Sequence, residues 1–105
     1  MKQIAPEQLK QSMDAGNAPL LLDVRESWEY AICHIADSIN INMAQIPSRL
    51  HDLNPEREII VICHHGWRSL QVASYLESNG FDNISNLLGG IDAWAVTVDP
   101  SLPRY

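Results

Sequence analysis

Several features are scarce in this chain of 105 residues, and each scarcity narrows the classes of protein to which it can belong. Two cysteines, Cys33 and Cys63, are too few for a disulfide scaffold, and they lack the Cys-x-x-Cys spacing of a typical zinc site. Lys and Arg number 7 against 13 Asp and Glu, and the net charge of −6 argues against nucleic acid or an anionic membrane as partner. A reduced, reactive thiol is the better starting hypothesis.

Long apolar runs are also missing. No segment approaches the ~20 apolar residues of a membrane span, and the first seven residues lack the apolar region of a signal peptide. We therefore expect a cytoplasmic protein, although a chain from which a signal had been removed would look the same. The length suits one domain over residues 1–105, and 46% hydrophobic with 19% charged residues is typical of a folded globular chain.

Short apolar runs alternate with helical patterns along the chain. Four consecutive β-branched residues, Ile59 to Ile62, favour a strand buried on both faces, as in parallel sheets. Further strands are predicted at Ile4 and at residues 20–24, 38–42 and 84–88, with helical spacing between them. This alternation predicts an α/β fold with a central five-stranded parallel sheet and helices on both faces.

The stretch with the most chemistry follows the buried strand. Cys63 closes that strand just before a helix begins, so its thiol is expected where strand carboxyl ends and helix N–H groups meet. A tight loop with Gly66 can turn several N–H groups inward and stabilise negative charge near the sulfur. Arg68 lies in the first turn of the predicted helix, where a positive charge is unfavourable because it opposes the helix dipole. Exceptions of this kind usually mark functional sites. These features favour a nucleophile over the inert buried cysteine that is the alternative.

The remaining loop residues have structural interpretations as well as functional ones. His64 and His65 could bind zinc or act as bases, but no Cys, Asp or Glu lies at matching spacing, so no metal site is predicted and both are expected to supply mainly backbone amides. Trp67 is expected at the exposed rim of the loop, where its apolar surface could contact a partner.

Outside the loop, structural roles are favoured. Cys33 is predicted to be structural, with a resolving thiol as the alternative. Asp23 and Arg25 are predicted either to tie the second strand to its neighbours as an ion pair or to contact substrate. The large aromatic residues at helical positions are predicted to lie mostly in the core, namely Trp28, Tyr30 and Trp94.

Three segments resemble the signatures of the rhodanese family, and together they span about residues 20–95. The first comprises Leu22-Asp23-Val24-Arg25, Glu29-Tyr30, His34-Ile35 and residues 36–41. The second is Cys63-x-x-Gly66-x-Arg68-Ser69, which resembles the active-site loop, and the third is Leu88-Gly89-Gly90-Ile91-x-Ala93-Trp94. The chain departs from the family where Cys33 replaces a glycine and where Asp37-Ser38 replaces a common Gly-Ala.

The resemblance implies a sulfurtransferase that needs no metal or organic cofactor. Cys63 would take a sulfane sulfur from a small anionic donor such as thiosulfate, become a persulfide, and pass the sulfur to cyanide, another thiophilic acceptor or an acceptor protein. Binding of the donor and the persulfide would fall to the loop residues His64, His65, Gly66, Trp67, Arg68 and Ser69, with Arg68 holding the anionic donor and N–H groups stabilising the outer sulfur.

Two other functions stay open. The first is a phosphatase or an arsenate reductase: cysteine phosphatases of the Cdc25 type use a similar loop, but with five residues between cysteine and arginine, whereas this chain has the four residues 64–67. The shorter loop favours a single sulfur atom over a tetrahedral oxyanion. A persulfide carrier or protein-recognition module without turnover is the second alternative, and the sequence does not separate it from an enzyme.

Overall fold

Five parallel strands form one sheet in the order β1-β5-β4-β2-β3 in a computed structural model that describes all residues from Met1 to Tyr105. The strands are β1 (Lys2–Ile4), β2 (Leu20–Asp23), β3 (Ile39–Asn40), β4 (Ile59–Ile62) and β5 (Ile84–Leu87). The helices are α1 (Pro6–Asp14), α2 (Ser27–Ile32), α3 (Trp67–Ser78) and α4 (Gly90–Thr97), with 3₁₀ segments at Met43–Gln45 and Pro47–Asp52. The predicted five-stranded parallel α/β fold is confirmed.

Strand β4 is the centre of the sheet, and all four of its residues are buried between β2 and β5. Side chains of a strand alternate between the two faces, and two hydrophobic clusters result. Ile59, Val61 and Cys63 join the cluster that contains Val72, Ala73 and Leu76 of α3. Ile60 and Ile62 join the cluster that contains Leu9 of α1 and Ile91 and Trp94 of α4. Helices therefore cover both faces, as predicted.

The edge strands are short, and β3 is shorter than the five residues expected from the alternating pattern of residues 38–42. After Asn40 the backbone turns into the first 3₁₀ segment, whose start is capped by the side chain of Asn42, 3.2 Å from the amide of Gln45. The Asn40 side chain continues the contact with β2 instead, donating to the carbonyls of Asp23 and Arg25 at 3.0 and 2.9 Å. Short edges limit pairing with other chains.

The connections of the two central strands run in opposite directions. From β2 the chain passes through α2 to β3 on one side, and from β4 it passes through α3 to β5 on the other. The carboxyl ends of β2 and β4 therefore flank a topological switch point, which is where open α/β sheets bind ligands. Asp23 and Ile62 are paired at these ends, and Cys63 follows directly.

One prediction about the large aromatic residues is wrong. Trp28 was expected in the core, but it is 61% exposed because α2 is only six residues long and turns this position outward. Trp94 is buried as predicted. At the departure from the family pattern, Asp37 adopts a left-handed backbone with φ of +68°, the conformation that a glycine takes most easily.

None of the helices, of which α3 with 12 residues is the longest, has the length and apolar character needed to cross a bilayer.

Candidate active site

The Cys63 thiol lies at the end of β4, 1% exposed and directly below the first turn of α3. The amide of Gly66 donates a hydrogen bond to Cys63 Sγ at 3.0 Å, and the Ser69 hydroxyl lies 3.2 Å from the same sulfur. Gly66 is the N-cap of α3 and has a φ of +101°. A side chain there would be strained and would come within 3.3 Å of the Gly89 amide nitrogen, so this position suits glycine.

The Gly89-Gly90 turn holds the cysteine loop from the other side. The amide of Ile91 donates to the carbonyl of Cys63 at 2.8 Å, and the amide of Asp92 donates to the carbonyl of His64 at 3.1 Å. In a trans peptide the N–H points opposite to the C=O of the same unit. The N-terminus of α4 therefore turns the amides of His64 and His65 away from itself. It fixes the direction of two amides expected to face a persulfide.

Gly90 is what allows this close approach of α4 to the loop. A Cβ atom at Gly90 would lie 2.3 Å from the carbonyl oxygen of Cys63 and 2.5 Å from that of His64. Gly90 of the third signature thus has a physical explanation in its contact with the cysteine loop, whereas a Cβ at Gly89 would meet Ala93 of α4.

Ser69 and Asn86 form a buried polar pair beneath the thiol. The Ser69 hydroxyl donates to Oδ1 of Asn86, whose Nδ2 donates to the carbonyl of Gly66 at 3.3 Å and to Oε1 of Gln3 at 3.0 Å. Because the single Ser69 proton is given to Asn86, the neutral Cys63 thiol donates to the Ser69 oxygen. Asn86 interrupts the apolar pattern of β5, which is the only trace of this role in the sequence.

Arg68 lies in the first turn of α3, but it is not a free cation. Its Nη1 and Nη2 donate to the two carboxylate oxygens of Glu29 at 2.6 and 2.8 Å. Arg68 hydrogen bonds hold the pKa of Glu29 at about 2 against the opposing effect of its burial, and Glu29 in turn raises the pKa of Arg68. A buried carboxylate thus already balances the charge of this guanidinium, and its expected contact with an anionic donor stays a prediction.

Glu29 was missed as a site residue, although it forms part of the first signature. It is the third residue of α2, and its side chain also accepts from the Glu26 amide at 3.0 Å in a capping box. A carboxylate at this position normally serves only the helix N-terminus. The pairing with Arg68, 39 residues away, is visible only in the folded chain.

Asp23 and Arg25 form the ion pair that was one of their two predicted roles. Both side chains are 0% exposed, with Arg25 Nη2 2.7 Å from Asp23 Oδ2. Arg25 also donates to the carbonyls of Glu29 and Cys33 at 3.3 and 2.7 Å. Burial alone would lower the pKa of Arg25, but hydrogen bonds to Asp23 and Tyr105 outweigh it and raise it. This pair links the end of β2 to the middle and the C-cap of α2 rather than facing a substrate.

His64 and His65 lie face to face, with ring centroids 3.9 Å apart and an angle of 25° between the planes. Folding brings Asp92 beside them, so that one ligand atom from each residue lies within 4.8 Å of the others, which sequence spacing did not reveal. Nearly parallel rings do not direct their nitrogens at one ion, and Arg104 already pairs with Asp92 at 2.8 Å. Burial, followed by the charge of His65, lowers the pKa of His64.

Trp67 is 76% exposed at the rim of the loop, as expected. A groove of about 200 Å³ runs beside it, and its lining includes Gly66, Leu70, Asn86 and the half-exposed Leu88. The groove adjoins the Gly66 residue whose amide contacts Cys63 Sγ. A groove with a partly apolar lining therefore borders the cysteine loop on one side.

Cys33 is buried in the cluster of Ile60 and Ile62, on the sheet face opposite that of Cys63. Its carbonyl serves Arg25, and its thiol packs among apolar side chains. This surrounding suits the predicted structural role better than that of a resolving thiol.

A buried thiol at a strand end, held by a helix N-terminus at a switch point, defines a class of α/β proteins with a cysteine in the short loop between a strand and a helix. Residues 5–97 match the rhodanese-like domain family, and the chain belongs to that family of sulfurtransferases.

Relatives of similar length support this assignment. A sulfurtransferase of Allochromatium vinosum is 35% identical over 90% of this chain and 89% of its own, and the thiosulfate sulfurtransferase GlpE of Pseudomonas syringae is 30% identical over 91% and 89%. The crystal structure of a rhodanese-like domain protein from Staphylococcus aureus has a TM-score of 0.87 at 33% identity, covering 100% of this chain and 99% of that one. Other relatives are longer, and the chain spans only 25% and 30% of two from Arabidopsis thaliana.

Proposed function

We propose that the protein transfers a sulfane sulfur from thiosulfate or a similar small donor to cyanide or another thiophilic acceptor through a persulfide on Cys63. The observation that carries the proposal is the Gly66 amide 3.0 Å from Cys63 Sγ, at the N-terminus of α3. Such a donor stabilises negative charge on sulfur before and after the transfer. The four-residue spacing to Arg68 supports sulfur rather than phosphate or arsenate chemistry.

The chemistry is a pair of displacements at sulfur. The Cys63 thiolate attacks the outer sulfur of thiosulfate, a new S–S bond forms, and the old S–S bond breaks as sulfite leaves with the electron pair. The resulting Cys63–S–S⁻ carries its charge on the outer sulfur. Cyanide then attacks that sulfur, thiocyanate leaves, and the Cys63 thiolate returns. No redox partner or cofactor enters this balance.

Arg68 and Ser69 have distinct proposed roles in these steps. Two Arg68 N–H groups are occupied by Glu29, and the remaining ones are proposed to contact the anionic donor. The Ser69 hydroxyl, 3.2 Å from Cys63 Sγ, is proposed to accept a hydrogen bond from the neutral thiol and so to keep the sulfur in place.

Intact-mass measurement after incubation with thiosulfate tests the proposal. We expect one added sulfur atom on wild type and on Cys33→Ser, and none on Cys63→Ser. Labelling that follows Cys33 would contradict the site assignment. Release of phosphate from an aryl phosphate, with no sulfur added, would favour the phosphatase alternative.

A non-turnover carrier is the second candidate, favoured by the exposed Trp67 beside the loop. If the protein is an enzyme, cyanide should discharge the persulfide with a rate constant on the order of 1 per second or more. A persulfide that forms once and resists cyanide, but is discharged by an acceptor protein, identifies a carrier. Trp67→Ala should then slow discharge by that acceptor far more than it slows loading by thiosulfate.

A further inference from the structure

Tyr105 packs its ring against the residue that follows the nucleophile. The Tyr105 and His64 rings are stacked with centroids 3.9 Å apart and planes 9° from parallel. Trp28 meets the Tyr105 ring edge-on, with centroids 6.1 Å apart and planes at 69°. His64 therefore lies between two rings, those of Tyr105 and His65, and its Nε2 atom is buried without a hydrogen-bond partner. Stacking on both faces therefore contributes to holding this side chain.

The Tyr105 hydroxyl joins the two ion pairs that surround the loop. It accepts from Arg25 Nη1 at 2.9 Å and donates to Glu29 Oε2 at 2.8 Å. Asp23 pairs with Arg25, and Glu29 pairs with Arg68, so one continuous chain of hydrogen bonds runs from the end of β2 to the first turn of α3. Burial raises the pKa of Tyr105 to about 12, so the hydroxyl keeps the proton that it donates to Glu29.

The segment that carries Tyr105 is itself anchored. Arg104 donates to both carboxylate oxygens of Asp92 at 2.8 and 3.2 Å, and Leu102 packs against the core cluster of α1 and α4. The crevice between this segment, α4 and His64 has no space for a water molecule. The Tyr105 ring is thus held in one place by contacts on several sides.

We propose that Tyr105 is a positioning residue for sulfur transfer, holding His64 against the Cys63 loop and Glu29 in the orientation that fixes Arg68. The expected effect on sulfur transfer rests on the proposed function, whereas the contacts of Tyr105 do not depend on it. The N-terminus of α4 turns the His64 amide away from itself, and rigid donors stabilise charge without reorganisation. The hydroxyl acts through Glu29 on the guanidinium nearest the thiol. A residue that only anchored its own segment would contact neither.

Two variants separate the ring from the hydroxyl. Tyr105→Phe keeps the stacking and removes the bridge between Arg25 and Glu29, whereas Tyr105→Leu removes both. Tyr75→Phe is the matched control, because Tyr75 is similarly exposed on α3 and makes no side-chain hydrogen bond. Loading of Cys63 by thiosulfate should fall roughly tenfold in Tyr105→Phe and about 100-fold in Tyr105→Leu, the scale expected for misplacing a reacting group by ~1 Å. Tyr75→Phe should load like wild type.

Two further measurements do not depend on a sulfur donor. Under conditions in which both Tyr105 variants are fully folded, the rate of Cys63 alkylation by iodoacetamide should differ from that of wild type. The pKa of His64, followed by NMR, should rise toward its ordinary value in Tyr105→Leu, since the ring that buries it is gone. Folded variants with wild-type loading, alkylation and His64 titration would overturn the proposal. If wild type itself takes no sulfur, the proposed function fails, while alkylation and titration still decide the role of Tyr105.

Discussion

Arg68 and Glu29 form a two-point ion pair, at 2.6 and 2.8 Å, that ties the first turn of α3 to the first turn of α2 across the cysteine loop. Glu29 is 4% exposed, whereas the Arg68 side chain is about one-third exposed. The pair therefore lies at the boundary of the core, with its carboxylate inside and its guanidinium open toward the thiol side. Arg68 serves folding and, in our proposal, donor binding.

Loss of Arg68 should therefore weaken folding as well as activity. Arg68→Ala leaves a buried carboxylate without its cation and is expected to lower the free energy of unfolding by about 3 kcal/mol. Arg68→Lys keeps the charge but not the two-point geometry, so a smaller loss is expected. Urea denaturation measures the coupling free energy between Glu29 and Arg68. It compares both Arg68 variants with Glu29→Gln and with the double variant Glu29→Gln/Arg68→Ala.

An additive double variant would contradict the pairing. Loading by thiosulfate tests the second role of Arg68. If loading of Arg68→Ala falls far more than its fraction of folded protein does, the proposed contact with the donor is supported.

Acid should weaken the protein partly through Glu29. Its pKa is lowered from 4.5 to about 2 in the folded state, so the unfolded chain takes up the proton first as the pH falls. The stabilisation is fully present above the unfolded value and is lost as the pH falls from about 4.5 through about 2. We expect on the order of 2 kcal/mol, after allowance for the partial exposure of Arg68. Urea midpoints of wild type should converge on those of Glu29→Gln over this window; a constant difference would refute the assignment.

Gly90 should tolerate no side chain. In Gly90→Ala the new methyl would overlap the carbonyl oxygens of Cys63 and His64, which the amides of Ile91 and Asp92 hold in place. We expect a loss of roughly 3 kcal/mol or more and a displaced loop.

Gly80→Ala is the control for Gly90→Ala, because Gly80 also has a positive φ, +89°, but no atom lies within 4 Å of its added Cβ. Only backbone strain of about 1–2 kcal/mol applies there. Thermal unfolding compares the stabilities of Gly90→Ala and Gly80→Ala. Equal losses of stability would show that the close approach of Gly90 to the loop does not contribute to the effect.

Asp37 tests whether the departure from the family pattern carries strain. Its φ of +68° favours glycine, and asparagine or aspartate tolerate it better than other residues. Asp37→Ala should lose about 1 kcal/mol. Asp37→Gly should change stability by less than ~0.5 kcal/mol, because relief of strain and the greater freedom of the unfolded chain oppose each other. Chemical denaturation measures the stability of both variants. Equal losses in Asp37→Ala and Asp37→Gly would contradict the explanation by backbone strain.

The strands, their parallel arrangement and the position of Cys63 were all predictable from the sequence. Apolar runs such as residues 59–62 report burial directly, because a strand covered on both faces needs apolar residues at every position. The spacing between Cys63 and Arg68 is likewise local, since the loop closes within a few residues. The exposed Trp28 was predicted wrongly because a helix of six residues gives too short a pattern to indicate its buried face.

The partners of the loop residues were decided by tertiary structure alone. Glu29 lies 39 residues from Arg68, Asn86 lies 17 residues from Ser69, and Tyr105 lies 76 residues from Glu29. Such contacts depend on strand order, on helix orientation and on the close approach that Gly90 permits, and no local pattern in the chain indicates which distant residues will meet. A nucleophile at a strand end follows from sequence, but the charges and rings that surround it follow from the packing of α2, α4 and the Tyr105 segment.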